Sequence, residues 1–153
     1  MKKELLVVGV LAVVAVGLGW AAREMRGDHL LSPPAVAVGE FPAKVDLAAF
    51  RKMVEGKTAV IFDARAKRFY DQGHVPGAVS LPKPDFDREG VRHPSLAGVV
   101  PTDSIVVYCS GPQCHDSGLV ADGLAHLGYG KIFLFKGGWH EWREAGYPAE
   151  SAP

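Results

Sequence analysis

Four short apolar runs, at residues 58–62, 78–81, 104–108 and 131–135, constrain the fold of this chain more than any other feature of its sequence. Each is bounded by turn residues or charges and shows no alternation, as expected of strands buried on both faces of a parallel sheet. A helix precedes the first run, because Leu47, Phe50 and Val54 fall at i, i+3 and i+7, with Asp46 as its N-cap and Gly56 as its stop. Further helical stretches are predicted at 66–72, 115–127 and 138–145. Strand and helix in alternation predict an α/β domain, a parallel sheet with helices on both faces. Residues 82–103, rich in proline and with charges clustered at Asp85, Asp87, Arg88 and Glu89, read as loop with at most one poor turn. Residues 27–43 read as a linker, with a short edge strand at 35–38. No repeat recurs at a fixed period.

The length of 153 residues, with 48% apolar and 22% charged, fits one globular domain, placed at 44–150. The apolar residues are unevenly spread, because residues 5–22 form a run of eighteen without a charge. That length predicts a transmembrane helix; a buried core helix would need an all-round apolar surface at the extreme terminus. Lys2 and Lys3 before the run and Arg23 and Arg26 after it specify orientation only weakly, and the amino terminus tips it toward N-in. An uncleaved anchor places Trp20 at the membrane interface, whereas a cleaved signal would be cut after Ala21, with Gly19 at the small-residue position. The first reading puts a single-pass protein in the cell inner membrane with its soluble domain in the periplasm or outside, open to a membrane protein partner. The second makes the domain soluble and periplasmic. Of the 17 basic and 17 acidic residues, setting aside those flanking the run (Lys2, Lys3, Arg23 and Arg26; Glu4 and Glu24) leaves 13 against 15, a net charge near −2. That balance argues against a nucleic-acid partner.

Both cysteines lie in residues 106–117, VVYCSGPQCHDS. Cys109 follows a predicted strand and faces the start of a predicted helix, and ligands of open parallel sheets sit beyond the carboxyl ends of strands. Unpaired N–H groups and the positive end of the helix dipole gather there, which favours a thiolate, the nucleophilic form. Gly111 lets the loop bend so that successive amides converge on an anion. A strand-end cysteine can also be a small buried hydrophobe. His115, Asp116 and Ser117 have the letters of a hydrolytic triad, but adjacent residues at a helix start diverge; Asp116 or Ser117 is better read as an N-cap. Cys109, Cys114 and His115 could touch a soft metal, yet no second ligand pair completes a tetrahedral site.

Residues 63–78, DARAKRFYDQGHVPGA, and the set Gly137, Gly138, Trp139, Trp142 and 145–148 (AGYP) flank this loop. In order with it, they resemble the motifs of rhodanese-like domains, the sulfurtransferase family, over about residues 44–150. The resemblance implies a small rhodanese-like sheet of about five strands, no cofactor and no metal. It implies that Cys109 takes the outer sulfur of a small donor such as thiosulfate as a persulfide and passes it to a thiophilic acceptor. Ser110, Gly111, Pro112, Gln113, Cys114 and His115 would form the substrate-binding loop. Asp63 and Arg65, read as a scaffold ion pair or as partners of loop amides, and Gly137 would support it. His74, Pro76 and Gly77 shape a turn, Gly137 and Gly138 permit a close approach to the loop, and Trp139 and Trp142 pack the last helix.

The loop departs from the family pattern. Pro112 and Cys114 stand where a glycine and an arginine are usual, and the following helix arrives two positions late, which implies a longer loop. Phosphatase and arsenate-reductase relatives with longer loops clamp the oxyanion with an arginine, and none lies between Cys109 and Arg143. Cys114 could act as a resolving thiol and close a disulfide on Cys109. The alternatives to a sulfurtransferase are a noncatalytic or persulfide-presenting binding module for a membrane partner, and a Cys109/Cys114 thiol redox protein.

Overall fold

A computed structural model of the chain describes residues 42–152. Five strands form one sheet: β1 (Ala43–Val45), β2 (Val60–Asp63), β3 (Val79–Ser80), β4 (Ser104–Tyr108) and β5 (Lys131–Phe135), in the order β1-β5-β4-β2-β3. Every ladder is parallel, as the alternation of strand and helix requires. The helices are α1 (Leu47–Gly56), α2 (Lys67–Gln72), α3 (Lys83–Glu89), α4 (Asp116–His126) and α5 (Gly138–Glu144).

Strand β4 organises the whole. Its side chains alternate between two cores, Ile105 and Val107 packing with Phe62, Phe86, Val120 and Leu124, and Val106 and Tyr108 packing with Phe50, Phe135 and Trp142. Because both faces are covered, these four residues are fully buried and the strand carries no polar face. Helices α3 and α4 cover one side and α1 and α5 the other. The ends of β2 and β4 meet in register, Asp63 beside Tyr108, and the chain leaves β4 directly into Cys109.

Asp46 caps α1 as predicted, its carboxylate accepting from the Ala49 N–H at 2.8 Å, and the helix ends at Gly56. The left-handed residue that follows is Lys57, at φ 49°, and its N–H closes on the carbonyls of Met53 and Val54. Two sequence expectations need correction. Residues 82–103 are not mostly loop: they hold α3 and two short 3₁₀ turns, Gly90–Arg92 and Pro94–Leu96. Prolines at the front of α3 suit its first turn, and the clustered charges pair along its exposed side, Lys83 with Asp87 and Arg88 with Asp85. Neither Asp116 nor Ser117 caps α4; His115 is the capping residue, with no side-chain cap bond, and both expected caps lie inside the first turn.

Among the described residues no helix is long and apolar enough to cross a membrane. The apolar run 5–22 and the edge strand expected at 35–38 lie outside the described residues.

Candidate active site

The loop between β4 and α4 is fastened from outside by α5. The carbonyl of Cys109 accepts the Trp139 N–H at 2.8 Å, and that of Ser110 accepts the His140 N–H at 2.9 Å. With these carbonyls turned toward α5, the amides of Ser110 and Gly111 carry no hydrogen bond among the described residues, nor do those of Gln113 and His115. The predicted cradle of 110–115 is narrower than its length suggests. Pro112 has no N–H, and the Cys114 N–H is engaged in a turn to the Gly111 carbonyl at 2.9 Å. The first turn of α4 follows at once, adding the unpaired N–H groups of a helix start.

The close approach of α5 depends on Gly138 rather than on Gly137. Gly138 has φ 63°, and a Cβ there would stand 2.4 Å from the Cys109 carbonyl oxygen and 2.7 Å from the Gly111 nitrogen. A Cβ on Gly137 would instead meet the side chain of Glu141 within α5. Gly137 contributes its carbonyl, 3.6 Å from the position a Cβ on Gly111 would take.

Cys109 is 2% exposed and Cys114 is half-buried. The two are joined by a disulfide, with their Cα atoms 6.2 Å apart. A carboxylate oxygen of Asp116 and the two sulfurs all lie within 4.8 Å of one another. Asp116, not His115, is therefore the polar neighbour of the thiols. Its place in the first turn of α4 follows from the helix starting one residue later than the sequence pattern indicated.

Beneath the loop, the Asp63–Arg65 pair is built as expected in both respects. The Arg65 guanidinium reaches the Asp63 carboxylate at 2.6 Å, and the Arg65 amide donates to the same carboxylate at 3.0 Å. Arg65 also donates to the Gly73 carbonyl at 2.7 Å, tying the end of β2 to the end of α2. The sequence did not reveal a third member, Tyr108, whose hydroxyl donates to Asp63 at 2.6 Å and accepts from the Val75 N–H at 3.2 Å. Burial first, and the Asp63 charge second, push the Tyr108 hydroxyl well above its ordinary pKa. The register of β2 on β4 carries this contact, and the sequence does not display register.

His74 is structural, as predicted: its ring stacks on Tyr70 with centroids 3.7 Å apart, and Nδ1 lies 2.8 Å from the Tyr70 carbonyl. Trp142 is buried against Phe50 and donates to the Pro148 carbonyl at 2.7 Å. Trp139, half-buried, packs against the same core as Trp142. Its ring lies 4.7 Å from the Arg65 guanidinium, in the wall of a cleft of about 410 Å³ lined also by Phe69, Gln72, Gly73, Ser110 and His140. The cleft reaches the loop at Ser110, the residue after Cys109. Phe69, Gln72 and His140 had no sequence signal, since each is an ordinary helix residue until α2 and α5 are brought to the same edge.

Once the disulfide is opened, the arrangement could receive an anion at Cys109, with loop amides and a partly aromatic cleft near it. The family model "Rhodanese-like domain" matches residues 46–145. A protein of Synechococcus elongatus named "Putative thiosulfate sulfurtransferase" is 27% identical over 119 residues, covering 65% of this chain and 37% of its own length. This chain therefore spans well under half of that relative. Among solved structures, the rhodanese-like domain of Alr3790 from Anabaena sp. superposes with TM-score 0.57 at 26% identity, covering 71% of this chain and 78% of that one. A structure of an EanB variant in complex with ergothioneine covalently linked with a persulfide superposes with TM-score 0.63 at 21% identity, covering 71% of this chain and 28% of that one. The sheet and the motifs on either side of the loop agree with the match across 46–145: the chain belongs to the rhodanese-like domain family.

Proposed function

We propose that this chain is a sulfurtransferase that moves the sulfane sulfur of a small donor such as thiosulfate through a persulfide on Cys109 to a nucleophilic acceptor. The observation that carries the reading is the position of Cys109: buried at the end of the central strand, beneath unengaged loop amides and the start of α4. In the first half-reaction the Cys109 thiolate attacks the outer sulfur of thiosulfate; a sulfur–sulfur bond forms at Cys109 and sulfite leaves with the electron pair of the broken bond. The amides of Ser110, Gly111, Gln113 and His115, without a hydrogen-bond partner among the described residues, are available to the resulting anion. An acceptor entering past Trp139 and His140 then takes the outer sulfur and returns the Cys109 thiolate. The disulfide must be opened before this cycle can begin, since a bonded sulfur is no nucleophile.

Supplied with thiosulfate and cyanide, the reduced full chain is expected to release sulfite and thiocyanate, and Cys109→Ser to release neither. A reduced, folded chain that makes no thiocyanate would favour the rival reading, a noncatalytic or persulfide-presenting module docking on a membrane partner. The apolar run at 5–22 supports a tether holding this domain beyond the inner membrane. A reporter fused after Pro153 that is active only in the cytoplasm would contradict that placement.

A further inference from the structure

The disulfide places a second thiol where the sulfur cargo must sit, and its two halves are unequal. Cys109 is 2% exposed, whereas Cys114 is half-buried beside the exposed Pro112, Gln113 and His115. A turn closed by the Cys114 N–H on the Gly111 carbonyl at 2.9 Å holds Cys114 over Cys109, and the Cα separation of 6.2 Å is one that disulfides ordinarily span. The loop, 109–115, contains no lysine or arginine to neutralise a standing persulfide anion.

We propose that Cys114 is an internal acceptor: it discharges the Cys109 persulfide as hydrosulfide, and an external dithiol reopens the resulting disulfide by attack at Cys114. The proposal rests on the persulfide reading above and assigns the reductant class of the second half-reaction. The Cys114 thiol gives its proton to Asp116, whose carboxylate, within 4.8 Å of both sulfurs, can take it through one water. The Cys114 sulfur bonds to Cys109 Sγ; the bond from Cys109 Sγ to the outer sulfur breaks, its electron pair leaves with that sulfur, and the proton held by Asp116 passes to it, so that it departs as hydrosulfide. The sulfane sulfur is reduced to sulfide as two thiols become one disulfide. The dithiol then forms a mixed disulfide at the accessible Cys114 and expels the Cys109 thiolate toward the loop amides, which stabilise it as a leaving group. Its second thiol closes the dithiol's own disulfide and frees Cys114. The sum is thiosulfate plus dithiol giving sulfite, sulfide and an oxidised dithiol.

The test uses the full chain, reduced and then freed of reductant, under anaerobic conditions, with thiosulfate and no added acceptor. The parent should release one sulfide and one sulfite per chain, stop with Cys109 and Cys114 linked in the peptide map, and resume on addition of dithiothreitol. Before dithiothreitol is added, Cys114→Ser should retain the extra sulfur on Cys109 and release about tenfold less sulfide. A parent chain that keeps its persulfide with Cys114 open to alkylation, and releases no more sulfide than Cys114→Ser, would overturn the proposal and leave the persulfide reading standing. Failure of both proteins to take up sulfur would overturn both.

Discussion

Asp63 is held from two sides, by the Arg65 guanidinium and by the Tyr108 hydroxyl, and all three side chains are buried. Removing one partner of such a buried pair leaves a charge without compensation, at a cost of about 3–5 kcal/mol. Tyr108→Phe is gentler: it keeps the ring but strips one donor from Asp63 and one acceptor from the Val75 N–H, and it should cost about 1–3 kcal/mol in denaturant unfolding. The same residue predicts a pH dependence. Its folded pKa is raised, chiefly by burial, so above about pH 10 the unfolded chain loses the phenolic proton while the folded chain keeps it. The contribution of Tyr108 to stability is thus complete below that pH and is lost as pH rises toward the folded value. Denaturation midpoints measured upward from pH 8 should fall more steeply for the parent than for Tyr108→Phe; parallel curves would show that the hydroxyl is not so held. The Asp63–Arg65 pair was legible because i and i+2 spacing at a strand end places a carboxylate beside its own loop. Tyr108 was not, because its partner comes from a neighbouring strand.

At the level of elements, β4, β5 and the span of α4 were close to their sequence readings, since a buried apolar strand and a long apolar-periodic helix leave little competition. Helix α3 was hidden by the features that stabilise it: prolines that suit a first turn and charges that pair at i+3 and i+4 on an exposed side. The ring of Phe86 on this helix packs where Gly123 of α4 has no side chain, a Cβ there standing 2.4 Å from the ring. No single-helix pattern shows such a fit. The contact that matters for function is between α5 and the loop. Gly138→Ala puts a side chain at positive φ and directs it onto the Cys109 carbonyl, which should cost about 1–3 kcal/mol and move the loop. Thiocyanate formation by folded Gly138→Ala should therefore drop much more than its stability alone explains; unchanged turnover would mean that the seating of α5 does not set the loop geometry.

At the level of the molecule, a parallel sheet buried on both faces leaves its strand ends for chemistry, and the rule that ligands sit at the carboxyl ends singled out the loop after β4 as the candidate site. What the sequence could not supply was the state of the site. Two cysteines five positions apart can be thiols, metal ligands or a disulfide, and only the folded loop brings their sulfurs together. With the disulfide closed, the chain should form no thiocyanate from thiosulfate and cyanide, and a dithiol should switch the reaction on. Activity of the oxidised chain equal to that of the reduced one would show that Cys109 is not the nucleophile. The most direct measurement is the mass of the Cys109 peptide from reduced Cys114→Ser chain after thiosulfate and alkylation, where no neighbouring thiol can discharge the sulfur. Sulfurtransferase chemistry at Cys109 predicts one added sulfur atom on that residue, matched by released sulfite and removed by cyanide. A folded, reduced chain whose Cys109 peptide gains no sulfur would contradict it.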